Sequence, residues 1–339
     1  MWTPYGRNPM GALQDRRRLT RLGFFALFVL APPLDLFRID LTLGHAILFG
    51  QDWTLGLGPF VAGEASALEA GWNLFWRFFL PVFGGAALFL LVAWRWGRLY
   101  CGWLCPHFSV VETVNGLMER SIGRPSLWEP KPLPARRADG GLRRSDRRLW
   151  PVTLLAAAGF ALLWAVVLLT YLLPPATVYG NLVTAELTRN QALFIGVATT
   201  LFLIDFLAAR HFFCRYGCAV GLFQSLVWLA NRRAMVVGFD RARAADCASC
   251  NAACDNACPM RLKPRTIKRH MFACTQCAQC ITACETVQAN NPEGSLLRWV
   301  DGECALDVSA HDFGHRPEVP PDCFRADRTA EGPRIVYED

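Results

Sequence analysis

Residues 274–284 read Cys274-Thr-Gln-Cys277-Ala-Gln-Cys280-Ile-Thr-Ala-Cys284, and residues 247–259 read Cys247-Ala-Ser-Cys250-Asn-Ala-Ala-Cys254-Asp-Asn-Ala-Cys258-Pro259. The later run has the C-x2-C-x2-C-x3-C spacing of a bacterial [4Fe-4S] site. In ferredoxins with two clusters, the fourth cysteine of a run ligates the other cluster. The sequence therefore predicts a C-terminal, bacterial two-cluster ferredoxin-like domain over residues 241–292.

The spacing also assigns the eight cysteines to two [4Fe-4S] clusters. The predicted ligands of the first cluster are Cys247, Cys250, Cys254 and Cys284, and those of the second are Cys274, Cys277, Cys280 and Cys258. Four-cysteine zinc sites also use C-x2-C pairs, but eight cysteines in two runs, with Pro259 directly after the fourth, favour clusters. The earlier run has one additional residue between Cys250 and Cys254, which we expect a loop to absorb.

The composition indicates that the rest of the chain lies in a membrane. Of 339 residues, 53% are hydrophobic and only 19% are charged, whereas soluble domains have about 25% charged residues. A spanning helix needs about 20 mostly apolar residues, and we predict spans at 22–34, 78–94, 152–173 and 192–209. The first also resembles the core of a signal peptide, but no clear cleavage site follows it. The predicted fold is mainly α, a polytopic membrane protein with about four transmembrane helices.

The distribution of Lys and Arg orients these spans, because cytoplasmic loops are enriched in both. The N-terminal tail and the loop 98–148 are rich in arginine, whereas 39–73 has no Lys or Arg and 174–191 has only Arg189. We therefore predict a multi-pass protein of the bacterial inner (cytoplasmic) membrane, with both termini and the clusters in the cytoplasm. The alternative is that residues 16–20 form a twin-arginine export signal, which leaves the basic loop on the wrong side.

These features divide the chain into seven predicted segments. They are a cytoplasmic basic tail (1–18), a first transmembrane hairpin (19–100), a cytoplasmic basic loop with a cysteine pair (101–148), a second transmembrane hairpin (149–211), a second cysteine pair with an interfacial helix (212–240), the ferredoxin-like domain (241–292) and a polar tail (293–339).

Two related cysteine pairs follow the second and fourth predicted spans. They read Tyr100-Cys101-Gly102-Trp103-Leu104-Cys105-Pro106 and Phe213-Cys214-Arg215-Tyr216-Gly217-Cys218-Ala219. On a continuous helix, positions i and i+4 share one face, so we predict one membrane-surface thiol site formed by Cys101, Cys105, Cys214 and Cys218. Such a site could bind a soft metal such as Cu(I), cycle between dithiol and disulfide or hold a further cluster. Buried, inert cysteines are the remaining alternative.

Other polar residues in this region are weaker candidates. His107 and His211 flank the pairs and are candidate additional ligands, although a histidine at a helix end is more often interfacial. Asp205, inside an apolar span, is a proton or ligand site by default, with an interhelical hydrogen bond as the alternative. Cys304 and Cys323 have no ligand spacing and are not expected to bind a cofactor. The sequence indicates no catalytic residue and no nucleic-acid-binding function.

Taken in order, the two cysteine pairs, Phe223-Gln224-Ser225 and the ferredoxin-type runs resemble the membrane-bound ferredoxin-type accessory proteins of the RdxA/FixG/CcoG group. The resemblance covers residues 17–292, with Ala219 where a proline is expected and no counterpart expected for that group's further span and extracytoplasmic domain. It implies electron transfer to copper, as Cu(II) reduction during cytochrome oxidase assembly.

The same motifs are also similar to NapH-type membrane subunits, which implies the transfer of electrons from quinol to a periplasmic reductase. A third alternative is an iron-sulfur sensor or scaffold protein. The expected cofactors are two [4Fe-4S] clusters with copper or quinone as a further candidate, and the expected partners are the membrane, quinol, and donor and acceptor proteins.

Overall fold

The computed structural model of the chain describes residues 9–248, 250–313 and 323–324, and in this part the fold is mainly helical. The α-helices are α1 (Pro9–Leu30), α2 (Gly58–Val61), α3 (Ala67–Leu74), α4 (Gly85–Trp96), α5 (Leu99–Trp103), α6 (Pro106–Ile122), α7 (Trp150–Thr170), α8 (Pro175–Val183), α9 (Arg189–Ile204), α10 (Ala219–Ala230), α11 (Ala253–Ala257), α12 (Gln279–Val287) and α13 (Gly302–Phe313).

Wider helical turns and short 3-10 turns join several of these helices. The π-helical segments are Phe75–Gly84, Asp205–Ala209 and Phe213–Gly217, and the 3-10 turns are Arg147–Leu149, Ala244–Cys247 and Lys268–Met271. The segment Phe75–Gly84 contains Pro81, which has no N–H to donate to a regular α-helix. The wider turn keeps α3 and α4 in one continuous helix around it.

Three helices in the described part of the chain are long and apolar enough to cross a membrane: Ala67–Trp96, Arg147–Thr170 and Arg189–Ala209. They overlap the predicted spans 78–94, 152–173 and 192–209. The predicted first span, 22–34, is not among them. It falls on the second half of α1, which ends at Leu30, before Pro32. The first half of α1 contains Arg16, Arg17 and Arg18, so its apolar part is shorter than the roughly 20 residues that spanning requires.

The helix α1 nevertheless packs along α7. The ring of Phe25 contacts Phe160, and Phe28 contacts both Trp164 and Tyr171. The hydroxyl of Tyr171 also donates a hydrogen bond of 2.9 Å to the carbonyl oxygen of Phe28. Because Tyr171 directly follows α7, the apolar half of α1 reaches the end of that helix.

Two small antiparallel sheets complete the fold. The strands β1 (Phe37–Asp40), β2 (His45–Leu48) and β3 (Gln51–Trp53) lie in the connection predicted to be outside, with Phe37 opposite Leu48. The strands β4 (Val236–Phe239) and β5 (Leu297–Val300) pair with Val236 opposite Val300. Since β4 precedes the first cysteine run and β5 follows the second, this sheet joins the two ends of the ferredoxin-like segment.

Candidate functional site

The first predicted cluster group comes together in the structure. Cys247, Cys250, Cys254 and Cys284 line one small cavity together with Arg265. Three of these cysteines come from the first run, whereas Cys284 is carried there by α12 from the second run. The guanidinium of Arg265 donates a hydrogen bond of 2.9 Å to the carboxylate of Asp255, which holds it beside the cysteines. The assignment of these four as ligands of one cluster stays a prediction.

The second predicted group is more deeply buried. Cys258, Cys274, Cys277 and Cys280 are all buried, and the thiol of Cys280 is close enough to the other three for electrostatic interaction. It is also within electrostatic range of Cys254, so the two groups adjoin. Burial raises the pKa of Cys258 and of Cys254 to about 12. Because iron binds the thiolate, cluster formation has to displace a proton from each.

The backbone of the two runs explains how the thiols converge. Ala252 (φ 51°) and Ala278 (φ 58°) both adopt the left-handed conformation, which non-glycine residues rarely occupy. Each is the residue directly before a short helix, α11 or α12. In each run, the chain therefore curls back on itself before the helix carries the next cysteine to the group. The additional residue of the first run leaves this turn intact.

Cys101, Cys105, Cys214 and Cys218 also converge, although the two pairs are more than 100 residues apart. Cys214 is within electrostatic range of the other three, and Cys105 is within range of Cys101 and Cys218. Cys101 and Cys214 are buried, whereas Cys105 and Cys218 are half-buried. Burial raises the pKa of Cys105 to about 12. The structure thus brings all four residues of the predicted thiol site into one region.

Neither pair lies on the continuous helix that would place positions i and i+4 on one face. Cys101 lies in α5 and Cys214 in a π-helical turn, but Cys105 (ψ 116°) and Cys218 (ψ 108°) are extended. Each of these second cysteines directly precedes a new helix. Pro106 explains this at Cys105, because a proline disfavours the helical conformation in the residue before it. Cys218 adopts the same conformation before Ala219, so the missing proline does not alter the repeat.

Asp205 and His107 form a pair beside the thiols. The carboxylate of Asp205 lies 2.5 Å from Nε2 of His107, and Nδ1 of the same ring lies 3.6 Å from the sulfur of Cys214. This pairing matches the interhelical hydrogen bond considered for Asp205. His211 is buried, and its ring lies tilted by 30° against that of Phe212 at a centroid distance of 4.4 Å. Burial and the neighbouring Arg210 lower the pKa of His211 to about 4, so its ring is neutral.

Among the described residues, no three His, Cys, Asp or Glu side chains are grouped tightly enough to hold a single metal ion. A cubane cluster binds its thiolates at four different iron atoms, so its ligands stand farther apart than those of one ion. The spacing of the cysteines in the thiol site and in both ferredoxin groups is therefore compatible with a cluster.

The first cysteine pair is in direct contact with the second ferredoxin loop. A Cβ on Gly102 would lie only 2.1 Å from the carbonyl oxygen of Thr275, between Cys274 and Cys277. The indole of Trp103 donates a hydrogen bond of 3.0 Å to the carbonyl oxygen of Gln276. Only glycine at position 102 lets the two backbone segments come this close. The thiol site is therefore in direct backbone contact with the loop of the second cluster group.

Two buried arginines, Arg17 and Arg98, flank this contact. In the sequence, both are visible only as part of the basic charge predicted to be cytoplasmic. Arg17 donates a hydrogen bond of 2.8 Å to the carbonyl oxygen of Gly102 and forms an ion pair of 2.7 Å with Glu112. Arg98 donates one of 2.7 Å to the carbonyl oxygen of Cys214. The only sequence signal for Arg98 is its position, two residues before Tyr100 in the first cysteine motif.

Cys304 and Cys323 form a disulfide, which sequence reasoning did not predict. Cys304 lies in the first turn of α13, and Cys323 is one of the two described residues that follow Phe313. Neither belongs to a cluster group, in agreement with their lack of ligand spacing.

A family model described as a 4Fe-4S binding domain matches this chain at residues 78–125 and 190–234. The two matched regions contain both membrane-surface cysteine pairs, and they end before Cys247. No solved structure gives a significant match.

The chain is also similar to several curated proteins. YccM of Escherichia coli is 28% identical over 211 residues, which are 60% of this chain and 55% of YccM. The methylamine utilization ferredoxin-type protein MauN of Methylorubrum extorquens is 27% identical over 70% of this chain and 71% of its own length. The ferredoxin-type protein NapH of Haemophilus influenzae is 24% identical over 79% of this chain and 85% of its own length. The match to YccM thus spans little more than half of that protein.

Proposed function

We propose, from the relationship of this chain to ferredoxin-type proteins such as NapH, MauN and YccM, that it is a membrane-anchored iron-sulfur electron-transfer protein. Its two ferredoxin-type clusters use the ligand sets Cys247, Cys250, Cys254, Cys284 and Cys258, Cys274, Cys277, Cys280. When bound, each cluster would accept and donate one electron. The chain itself positions the clusters, shields them from water and connects them to the membrane.

The contact of Gly102 with Thr275 is the observation that carries this proposal. It joins the four membrane-surface thiols directly to the loop that holds Cys274 and Cys277. The same hydrophobic core contains Cys214, Cys258 and Cys274, with Cys105 packed against it. Electrons therefore have a short, water-free route between the cytoplasmic ends of two predicted spans and the ferredoxin-like domain.

The donor and acceptor define the finer function. The similarity to NapH over most of both chains favours a NapH-type role, in which quinol in the membrane is the donor and a partner reductase the acceptor. Cu(II) reduction in cytochrome oxidase assembly, as the RdxA/FixG/CcoG resemblance implies, is the second candidate. It is favoured by the soft thiolate character of the membrane-surface site.

Membrane vesicles that contain the oxidised protein distinguish these roles. Under anaerobic conditions, we expect a soluble quinol to bleach the visible absorbance of the clusters, because reduction weakens that absorbance. Vesicles without the protein are the control. If quinol leaves the clusters oxidised but the reduced protein generates Cu(I), the copper role is correct. If neither reaction occurs and oxygen instead alters partner binding, the protein is a sensor.

We further propose that the protein lies in the bacterial inner membrane with both termini and the clusters in the cytoplasm. The arginine-rich loop 98–148 supports this orientation. Although its apolar part is short, α1 has 22 residues in all and reaches the end of α7 at Tyr171, which supports a fourth crossing by residues 22–34.

Reporter fusions test this topology. Fusions after Glu64 and after Leu182 are expected to report the outside, and fusions after Arg143 and at Asp339 the cytoplasm. Lys and Arg are concentrated in the loop 98–148 and in the segment 210–269, which follows the last predicted span. An outward C terminus would revive the export-signal alternative. It would also accord with the disulfide between Cys304 and Cys323, since disulfides persist in oxidising compartments.

A further inference from the structure

Arg98 is a buried arginine whose charge is not matched by a carboxylate in the described structure. It is 1% exposed, and its Nη2 donates to the carbonyl oxygen of Cys214, but Nε and Nη1 have no hydrogen-bond partner. Arg17 and Arg21, by comparison, both pair with Glu112. A buried cation is stabilised by a counter-charge, so binding of an anionic group beside Arg98 would be strongly favoured.

The surroundings of Arg98 are built to hold the guanidinium in this place. A Cβ on Gly221 would lie 2.1 Å from Nη2 of Arg98, so a larger residue in α10 would collide with it. The guanidinium donates to the carbonyl oxygen of Cys214, and a Cβ on the preceding residue, Gly97, would lie 3.2 Å from the side-chain nitrogen of Gln276 in the ferredoxin loop. It therefore lies between the site of four thiols and the second ferredoxin group, and its Nε and Nη1 donors are available to a bound group.

The four thiols beside it are suited to supply that anion. Four cysteines are the usual ligand set of a [4Fe-4S] cluster, and a cubane with four thiolates is an anion. The matched 4Fe-4S family model covers both cysteine pairs and stops short of the ferredoxin runs. A copper ion bound by thiolates would also be soft-liganded, and metal analysis of the purified protein separates copper from iron.

We propose that Cys101, Cys105, Cys214 and Cys218 hold a third [4Fe-4S] cluster, with the guanidinium of Arg98 as its buried charge partner. This inference deepens the proposed function and rests on it, because the third cluster is the entry point of the relay at the membrane surface. A cation beside an anionic cluster favours the more negative, reduced form. Arg98 therefore raises the reduction potential of the third cluster and, through Cys274, that of its neighbour.

The test compares the iron content and EPR spectra of the full chain, purified anaerobically, with those of variants. We expect about twelve iron per chain in the wild type, because three cubanes hold four each, and about eight after Cys101→Ser with Cys214→Ser. Both ferredoxin-type EPR signals should persist in this double variant. A wild type with about eight iron, and no change in the double variant, would overturn the third cluster. Copper bound at these thiols in place of iron would overturn it as well.

Arg98→Gln tests the charge partner by an EPR-monitored redox titration. In Arg98→Gln, we expect the EPR signal of the third cluster to titrate at a lower potential than in the wild type. Arg98→Lys keeps the positive charge, so its potential should stay close to that of the wild type. Arg95→Gln is the matched control, since Arg95 lies on the preceding helix, is half-exposed and pairs with Asp301 at 2.9 Å. Equal potentials in wild type and Arg98→Gln would exclude the charge role. If the wild type showed no ferredoxin-type EPR signals, the proposed function would be refuted, whatever the outcome at Arg98.

Discussion

Cys277→Ser is expected to remove about four iron per chain, because it takes one thiolate from the second ferredoxin-type cluster. Cys277 is buried, and the positive charge of Arg17, which is paired with Glu112, acts on its thiol. The effect should be confined to the cluster, since the residue lies outside the membrane helices. Membrane insertion should therefore be unchanged.

Iron and sulfide analysis with EPR measures this result, and Cys304→Ser is the matched control. Cys304 is also a cysteine of the C-terminal third, but it lies in a disulfide outside the cluster groups, so its replacement should leave the iron content unchanged. If Cys277→Ser still shows both ferredoxin-type [4Fe-4S] signals, the ligand assignment is wrong. Zinc in place of iron in the wild type would end the iron-sulfur interpretation altogether.

The second large effect is expected from Cys101→Ser combined with Cys214→Ser. Both residues are buried at the contact between the membrane-surface thiols and the ferredoxin loop. Serine is close to cysteine in size, so the fold should survive, but a hydroxyl is a poor ligand for a soft metal. We expect electron delivery to be abolished in both directions, from quinol to the clusters and from the clusters to Cu(II), while both ferredoxin-type signals remain.

Stopped-flow measurement of cluster bleaching in vesicles follows this transfer. The control is the double variant of Cys304 and Cys323, which also loses two cysteines but none near Gly102. If the variant of Cys101 and Cys214 transfers electrons at the wild-type rate, the pairs are packing residues. The relay would then have to leave the ferredoxin-like domain by another route.

Local patterns in the sequence were sufficient for much of this description. Cysteine spacing predicted which thiols would group, and the structure brings Cys247, Cys250, Cys254 and Cys284 to one cavity. The hydrophobic runs predicted four spans, and three of them coincide with helices of the described residues that are long and apolar enough to cross a membrane. These signals are readable because ligand loops and membrane helices are defined by residues that are neighbours in the chain.

The geometry of each cysteine pair was less accessible. On a continuous helix the spacing of i and i+4 would place both thiols on one face, but Cys105 and Cys218 leave the helical conformation and directly precede new helices. Pro106 was visible as a signal for the first break, whereas Ala219 gave none for the second. At Cys218, the packing of α10 against α4 sets the backbone conformation, and the local sequence does not indicate it.

What the sequence by itself determined is the class of the molecule: an anchored, mainly helical chain with cysteines spaced for clusters. Only the tertiary structure decided how those parts connect. Trp103 and Gln276 are 173 residues apart, and no periodicity or spacing links them. Burial of Arg98 and the pairing of Cys304 with Cys323 depend equally on distant segments. An arginine in a solvated basic loop and an arginine buried against Cys214 have the same letter in the sequence, and only packing distinguishes them.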